Sequence, residues 1–448
     1  MTETQMMDRL ISRSTGGRYN LFVQVGLASM IIGGALTAYA LTSGHGERAW
    51  HLFHVNWLFF TGISAGSVAL SAVHKLANAK WSGVIIRFAQ ANVFFGVVSL
   101  VGLVLLMTVG YHAVYGHMDE QLHSLPHAKA VWLSRPFMAG RLVVGMIAMF
   151  GVGWALIKAD LTPDLLAVKG VVTDGRRGLY EGMLAGFDGS AVAKAAQQQK
   201  VNRLAAIYIV VYALVMTMIA FDGIMALQPH WLSNLLGGWY FMGSFLGAHT
   251  CLALMMIYGA RHLGIADLVS PKQRHDLGKL CFGFTVFWTY LMWSQFLVIW
   301  YGNLPEETGF VFTRLWGEWM PIGRAVFVGM FLVPFFGLLF VAAKKSPVTL
   351  ALFALISFTS LWVERYLLVL PSVTAESGPV FGLPEVGPTV LMLGLFLSCY
   401  AQFARRFPMI SPRLAIETLN REAEHGHGHE FGHEDAAGDY AHPKELEA

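Results

Sequence analysis

The stretch RLAAIYIVVYALVMTMIAFDGIMA, residues 203–226, has no charged side chain between Arg203 and Asp222. An apolar run of about 20 residues is the length that crosses the roughly 30 Å hydrocarbon layer of a membrane as an α-helix. The stretch therefore predicts a membrane-spanning helix with one acidic residue near its end.

The same pattern recurs along the chain. Of its 448 residues, 55% are hydrophobic and 13% are charged, whereas about 25% of the residues of a soluble globular protein are charged. The mean hydropathy of +0.53 agrees with a membrane protein, and the composition excludes a soluble enzyme. We predict ten spanning helices, at residues 21–42, 51–74, 84–110, 136–157, 203–226, 236–258, 280–301, 322–343, 347–371 and 385–407.

An internal repeat appears when the chain is laid over itself at a shift of about 182 to 186 positions. YGHMDE at 115–120 resembles YGNLPE at 301–306, GRLVVGM at 140–146 resembles GRAVFVGM at 323–330, and Trp57 pairs with Trp239. The shift covers four predicted helices, which gives both copies the same orientation in the membrane, as in parallel repeats. We predict an all-α polytopic fold of two four-helix bundles, helices 2–5 and 6–9, flanked by helices 1 and 10.

The distribution of charge predicts how the helices are oriented. Most of the 31 Lys and Arg residues lie on the side of the N-terminus, the even-numbered connections and the C-terminus. By the positive-inside rule both termini are cytoplasmic. The opposite face carries acidic segments at 116–120 and 305–307, together with Glu385. In a bacterium the membrane would be the inner membrane and this face would be periplasmic.

Two polar regions lie on the predicted cytoplasmic side. We expect the connection 158–202 to form a surface helix with turns. The C-terminal region has too little apolar content to fold alone, so we expect a mobile His-rich tail. The resulting organisation is 1–50 with helix 1, 51–226 as the first bundle, 236–371 as the second bundle, 385–407 as helix 10 and 408–448 as the tail.

The sequence gives no sign of a redox centre or metal site of its own. Cys251, Cys281 and Cys399 all lie inside predicted helices, and there is no CxxC or CxxCH motif, so neither a disulfide, covalent haem nor an iron–sulfur cluster is indicated. HEFGH at 429–433 matches a zinc-binding pattern but lies in the Gly-broken tail instead of on a packed helix. The net charge of +3 does not indicate nucleic-acid binding.

Several ionisable residues fall within the predicted helices, where each costs about 2.5–3.5 kcal/mol on insertion scales and needs a partner or a function. Such a group of residues either binds a quinone head group and relays its protons, or forms ion pairs that hold the helices together. For two of them, Arg141 and Arg324, we favour ion pairing or a position at the membrane interface. The candidates outline a polar layer below the outer surface and comprise Asp222, Glu364, Arg365, Arg141 and Arg324, joined by His54, Asn56 and Glu318.

Other polar residues are candidates for ligand contact. Tyr290 and Gln295 place hydrogen-bonding groups among aromatic side chains in the segment YLMWSQFLVIWYGNLPEE, residues 290–307, which suits a quinone ring; the alternative is an interfacial aromatic belt. His249 lies near mid-depth in helix 6, where a hydrogen-bonded core histidine is favoured over a proton relay. The other histidines lie at different depths, so a haem with two His ligands is not predicted.

The chain resembles the NrfD and polysulfide-reductase family of membrane subunits, most closely the second of the two such subunits in bacterial alternative complex III. The resemblance covers nearly the whole chain apart from the tail. The segments that carry it are HVNWLFFTGISAG at 54–66, AKWS at 79–82, YHAVYGHMD at 111–119 and WSQFLVIWYGNLPEE at 293–307.

This resemblance implies two four-helix bundles with flanking helices, and a subunit without its own redox centre. Its implied partners are a paralogous NrfD-like subunit, periplasmic iron–sulfur and multihaem cytochrome subunits, lipid and a terminal oxidase, with haem and iron–sulfur clusters in the partners and quinol as the electron donor. By resemblance, His54, Asn56 and Asp222 occupy the neighbourhood of the paralogue's quinol pocket. The subunit type implies a proton path, for which the candidates are Asp222, His249, Glu318, Arg324, Glu364 and Arg365.

Two other functions compete with this one. The chain would be a purely structural anchor if its buried charges only fix the packing of the helices. A secondary transporter also has parallel repeats, but it predicts helices broken by Gly or Pro near mid-membrane. Pro334 is the one evident mid-span proline and the charges collect toward one face, so the transporter ranks last.

Overall fold

The protein is built from membrane-length helices, as seen in a computed structural model that describes residues 3–15, 20–172, 174–262, 264–374 and 378–431. Every regular element in these ranges is helical, and ten helices there are long and apolar enough to cross a membrane. The chain is therefore a multi-pass helical membrane protein, which confirms the expectation from its composition. The helices, α1–α10 in order, are Asn20–Thr42, Gly46–Leu76, Ile86–Thr108, Arg135–Val171, Ala191–Leu227, Leu236–His262, Pro271–Gly302, Gly317–Leu339, Pro347–Val373 and Leu383–Arg406.

Helices α4 and α5 extend well beyond their predicted limits. The predicted fourth helix ends at residue 157, whereas α4 continues through Pro163 to Val171. At the start of α5, the Ser190 side chain accepts a hydrogen bond from the backbone N–H of Ala193 and caps the helix. Hydropathy falls at the first charged residues, but charge alone does not end a helix. Helix α4 continues past both Asp160 and Pro163, and α5 begins at its Ser190 cap. The connection between them is accordingly short and contains the helix Asp174–Leu184.

Helix α2 lies at the centre of the fold. It contacts α3, α5, α6, α9 and α10, and 94% of its most apolar window is buried. That window also has the lowest mean hydropathy of the ten, 1.3. Because the sides of α2 face protein instead of lipid, this helix carries polar side chains that a lipid-facing helix would expose to hydrocarbon.

Eight of the helices form two groups, and α2 belongs to the first of them. Helices α2–α5 contact one another in a ring, as do α6–α9, and the contact of α2 with α6 joins the rings. Helix α1 packs along α10, where Gly33 permits the approach because a Cβ atom there would overlap the backbone of Leu391. These two groups are defined by contacts between helices alone. That the two groups are copies of one repeated unit stays a prediction.

The first part of the C-terminal region differs from the mobile tail predicted for 408–448. Residues Pro412–Phe431 form a helix, and the Thr418 hydroxyl donates to the carbonyl oxygen of Lys80 at 2.5 Å and accepts from the N–H of Gly83 at 3.2 Å. A segment too polar to fold alone can fold against a surface that already exists. Residues 432–448, and with them His433, lie outside the described residues, and the HEFGH motif lies outside the described side chains.

Candidate functional site

Arg141 and Asp222 form an ion pair near one end of the helices, called here the Asp222 end. Arg141 Nε lies 2.9 Å from Asp222 Oδ2, and its Nη2 lies 2.5 Å from Oδ1. The Asp222 side chain is fully buried, whereas 13% of the Arg141 side chain is exposed. Arg141 also donates to the carbonyl oxygen of Trp132 and lies over its ring at 4.1 Å. The structure thus places Arg141 in the type of packing contact favoured for it, joining α4 to α5.

His54 lies beside this pair. Its Nε2 is 2.7 Å from the carbonyl oxygen of Gly223, so Nε2 donates, and Nδ1 is a buried acceptor without a hydrogen-bond partner among the described residues. The Tyr115 ring meets the His54 ring at 5.8 Å, and its hydroxyl is likewise buried without a partner there. Burial and then the charge of Asp222 raise the pKa of Tyr115 well above its ordinary value, so this phenol keeps its proton.

Asn56, also a candidate for quinone contact, is occupied by protein. Its Nδ2 donates to the carbonyl oxygen of Leu52 at 2.7 Å and to Thr389 Oγ1 at 2.9 Å. Its Oδ1 accepts from Trp362 Nε1 at 2.9 Å. Both amide hydrogens are therefore used, and the residue ties α2 to α9 and α10 instead of presenting a donor to a ligand.

The charges at the opposite end of the helices gather around Asp160. This buried carboxylate has three cationic partners, Lys75 Nζ at 2.8 Å, Arg87 Nη1 at 3.2 Å and Arg413 Nη2 at 3.3 Å. Arg87 also pairs with the buried Asp164. Asp160 borders a cavity of about 290 Å³, although its side chain is itself buried. The sequence prediction missed this cluster because it ended the fourth helix before Asp160.

Buried polar side chains lead from Asp160 along α2. Gln90 Nε2 donates to Asp160 Oδ2 at 2.9 Å and to Ser71 Oγ at 2.8 Å. About one turn further along α2, Ser67 Oγ accepts from Asn92 Nδ2 at 2.9 Å. Each of these side chains is buried, so polar groups lie along the interior of this part of the first group.

Further polar side chains of α2 follow toward the Asp222 end. Thr61 donates to Ser99 Oγ at 3.0 Å, and Trp57 Nε1 donates to the backbone oxygen of Ser99 at 2.7 Å. The Trp57 ring then stacks on His54, with 6.0 Å between the ring centroids. The polar side chains recur every three or four residues, which keeps them on one side of the helix. The buried side chains of α2 in this series are called here the polar column. They are His54, Trp57, Thr61, Ser64, Ser67, Ser71 and His74.

Three other sequence candidates meet at a cavity of about 480 Å³ in the second group, called the aromatic cavity. Glu364, Gln295 and Arg324 all line it, among walls supplied by α6–α9 and the helix Pro305–Leu315. The Trp288 indole donates to Glu364 Oε1 at 3.1 Å. The structure therefore brings residues from α7, α8 and α9 to one place, although they are distant in sequence.

Arg365 and His249 each donate a hydrogen bond to a backbone carbonyl oxygen. Arg365 Nη2 donates to the carbonyl oxygen of Tyr240 at 3.1 Å and contacts Ser244 Oγ at 3.3 Å, and its guanidinium lies 4.3 Å above the Tyr240 ring. His249 Nδ1 donates to the backbone oxygen of Phe245 at 2.8 Å. This is the arrangement expected of a hydrogen-bonded core histidine.

Two more candidates are on the surface. Tyr290 is 62% exposed on α7 and lies outside the aromatic cavity. Glu318 is exposed in the short turn Gly317–Trp319 at the start of α8. The predicted polar layer is therefore not one site: its members divide among the Asp222 pair, the aromatic cavity and the protein surface.

The chain shows no match to a protein-family model or to a curated protein. Within the described ranges, no three His, Cys, Asp or Glu side chains lie close enough to hold a metal ion.

Proposed function

We propose that this chain is a membrane subunit of a respiratory quinol:electron-acceptor oxidoreductase of the alternative complex III type. In this proposal it lies in the bacterial inner membrane with both termini cytoplasmic, and its two helix groups are parallel repeats. It anchors periplasmic iron–sulfur and multihaem cytochrome subunits beside a paralogous membrane subunit. Electrons pass through those partners, while this chain provides a path for protons.

The observation that carries the proposal is the polar column. Its buried side chains are spaced from the Asp160 cluster toward His54, Tyr115 and Asp222 in the interior of the first group. Hydroxyl and imidazole groups can each accept one proton and pass on another. Polar groups inside a membrane are costly unless they serve a path or find partners, and here they follow one another along a helix shielded from lipid.

The path is interrupted at several points. The Ser67 and Ser64 hydroxyls donate to the backbone oxygens of Ile63 and Asn92, and Trp57 is a further break. Its indole N–H is a donor only and is used by the backbone of Ser99, so it cannot relay a proton between Thr61 and His54. Transfer past this point requires a bridging water molecule or a movement of the ring. A variant on the Asp160 side of Trp57 therefore tests the column separately from the Asp222 pair.

A structural anchor is the second candidate function. The two hydrogen bonds of the Arg141–Asp222 pair favour it, as do the bonds of Asn56 to Thr389 and Trp362, since all four join different helices. Under this alternative, loss of either contact lowers the amount of assembled complex and leaves turnover per complex unchanged.

The test measures protons released per electron by the complex in sealed vesicles. Ser67→Ala removes one hydroxyl from the column, and Ser357→Ala is its matched control because Ser357 is a buried serine of α9 outside the column. We expect the first variant to assemble normally with lowered proton release per electron, and the control to behave as wild type. Asp222→Asn and Glu364→Gln extend the test to the original carboxylate candidates.

The two functions give different results in the same samples. Unchanged coupling in Ser67→Ala and Asp222→Asn, with less complex recovered from the membrane, would establish the anchor and reject the proton path. Purification of the chain from its native membrane without any haem- or iron–sulfur-bearing partner would reject the respiratory complex itself.

A further inference from the structure

The aromatic cavity, of about 480 Å³, is lined mostly by apolar side chains. Its polar lining residues are Gln295, Arg314, Arg324 and Glu364. Glu364 is 1% exposed, and its two carboxylate oxygens lie against the Trp288 indole and the Arg365 guanidinium. Hydrocarbon is stabilised by contact with an apolar surface, whereas a polar molecule loses its hydrogen bonds to water there. The interior of the cavity therefore suits an apolar chain.

The cavity is elongated along α7. It reaches from Trp288 to Ile299 on that helix, a separation of about 16 Å along a helix axis. One leaflet contributes about 15 Å to the hydrocarbon layer of a bilayer. The cavity thus spans about one leaflet, on the side of the membrane where α7 ends at Gly302.

The cavity is open toward lipid between α7 and α8. Trp293, Phe327 and Val328 line it and are 54%, 38% and 42% exposed. Exposed apolar side chains on membrane-spanning helices face lipid. A hydrocarbon chain of the surrounding bilayer can therefore enter the cavity sideways, without crossing water.

A cation without a protein partner lies at the end of the cavity nearest the membrane surface. Arg324 lines the cavity and its side chain is exposed, and no described residue forms an ion pair or a hydrogen bond with its guanidinium. It follows the first residue of α8, Gly317, by about 10 Å of helix. From this depth an arginine side chain reaches the level of the lipid phosphates, which are the anions that a bilayer presents to it.

Gln295 lies at a similar depth on the neighbouring helix. It precedes Gly302, the last residue of α7, by about 10 Å of helix. The Gln295 side chain is partly exposed, and the Ser233 hydroxyl donates to its Oε1 at 2.5 Å, so its NH₂ group remains free to donate. In a glycerophospholipid the ester carbonyl oxygens lie next to the phosphate on the hydrocarbon side, where they can accept from this amide.

Arg314 gives the cavity wall a second positive charge. Its guanidinium donates to two backbone oxygens and to Ser372 Oγ, without an ion pair to a carboxylate of a described residue. The charge of Glu364 is balanced by Arg365. The cavity wall therefore carries an excess of positive charge, which favours a lipid of net negative charge over a zwitterionic one.

We propose that the aromatic cavity binds an anionic glycerophospholipid, such as phosphatidylglycerol, from the leaflet on this side. One acyl chain occupies the cavity from Ile299 toward Trp288 and fills the space between α7 and α8. The phosphate contacts Arg324, and Gln295 donates to an ester carbonyl oxygen. The site belongs to this chain alone, so the proposal depends neither on the polar column nor on any partner subunit.

The experiment uses the full-length chain, purified alone in detergent and freed of lipid. Native mass spectrometry measures the dissociation constants of the first bound phosphatidylglycerol and of phosphatidylethanolamine with the same acyl chains. Arg324→Gln removes the charge, and Val328→Trp fills the opening from an exposed position. The matched controls are Arg261→Gln, at an exposed arginine, and Val298→Trp, at a valine of α7 that is 67% exposed; both positions lie outside the cavity.

Photolabelling locates the site independently. A phosphatidylglycerol with a diazirine near the end of one acyl chain is photolysed in nanodiscs on the wild type and on Val328→Trp, and the labelled peptides are identified by mass spectrometry. We expect label within residues 288–299 of the wild type and its loss in the variant.

The wild type should hold one phosphatidylglycerol more tightly than phosphatidylethanolamine. Arg324→Gln should bind phosphatidylglycerol about 5- to 20-fold more weakly, as for the loss of one charge-assisted contact, and should discriminate less between the two lipids. Val328→Trp should weaken the binding of both lipids, and both controls should bind as the wild type does.

Wild-type affinity in both Arg324→Gln and Val328→Trp, an equal loss in the controls, or label only outside residues 288–299 would overturn the proposal. Every variant is measured on material that elutes with the folded wild type in size-exclusion chromatography. Because turnover and partners play no part, failure here leaves the proton-path test unaffected, and the reverse also holds.

Discussion

Arg141 and Asp222 are 81 residues apart in the sequence, yet two guanidinium nitrogens of the first contact both carboxylate oxygens of the second. The pair joins the beginning of α4 to the end of α5. Such a two-point contact fixes direction as well as distance, so it sets how these two helices meet beside His54.

Arg141→Met should destabilise the protein strongly. It leaves the fully buried Asp222 carboxylate without its cationic partner, and loss of one member of a buried pair costs about 3–5 kcal/mol. The expected result is a lower midpoint of thermal unfolding in detergent and a lower yield. The double variant Arg141→Met/Asp222→Leu should recover most of the loss; if it is as unstable as the single variant, the pair is not the cause.

Gly33→Val should weaken the packing of α1 on α10, whereas Gly34→Val should not. A Cβ atom at Gly33 would overlap the Leu391 backbone, while nothing lies within 4 Å of a Cβ atom at Gly34. Overpacking of this kind costs about 1–3 kcal/mol. Thermal unfolding of the two variants in the same detergent measures the difference. Equal stability of both would show that the two helices do not approach closely at Gly33.

Asn56→Leu should destabilise the protein. The substitution removes three hydrogen bonds and leaves the Trp362 indole N–H without its acceptor, at a cost of about 1–3 kcal/mol for the unpaired donor. The midpoint of thermal unfolding in detergent measures the loss. Wild-type stability of the variant would show that these hydrogen bonds do not hold α2 against α9 and α10.

Thr418→Val should loosen the helix Pro412–Phe431. The hydroxyl is the donor to Lys80 and the acceptor from Gly83, and its loss removes this contact between the C-terminal helix and the connection after α2. Faster amide hydrogen exchange is expected in residues 412–421 with the spanning helices unaffected. Arg421→Ala is the control, because Arg421 is exposed; the same increase in both variants would contradict a specific role of Thr418.

The spanning helices were predictable because hydropathy depends on local composition, and all ten predicted helices are present, although α4 and α5 extend beyond their predicted limits. Asp222, Glu364 and Gln295 were also identifiable, since polar groups stand out in apolar runs. Their surroundings were not: the partner of Asp222 and the cavity beside Glu364 depend on which helices meet. Packing over such sequence distances is not encoded in any one segment.

The polar column could have been found and was missed. Ser64, Ser67 and Ser71 carry no charge, so a search for ionisable residues passes over them. Their spacing of three and four residues, continued by Thr61, Trp57 and His54, places them on one side of a helix. That periodicity was the available signal. The Asp160 cluster was missed for a different reason. The predicted fourth helix ends at residue 157, before Asp160.

The central position of α2 bears on how the protein is made. A helix with this low hydropathy and a polar side along most of its length is poorly stabilised when lipid surrounds it. Four of the helices that α2 contacts, α5, α6, α9 and α10, are synthesised after α4. During biogenesis α2 must therefore be held in a protein-lined environment, at the insertion machinery or against α3, until the later helices enclose it. Premature release of the chain after its first four helices would leave α2 exposed as a substrate for membrane quality-control proteases.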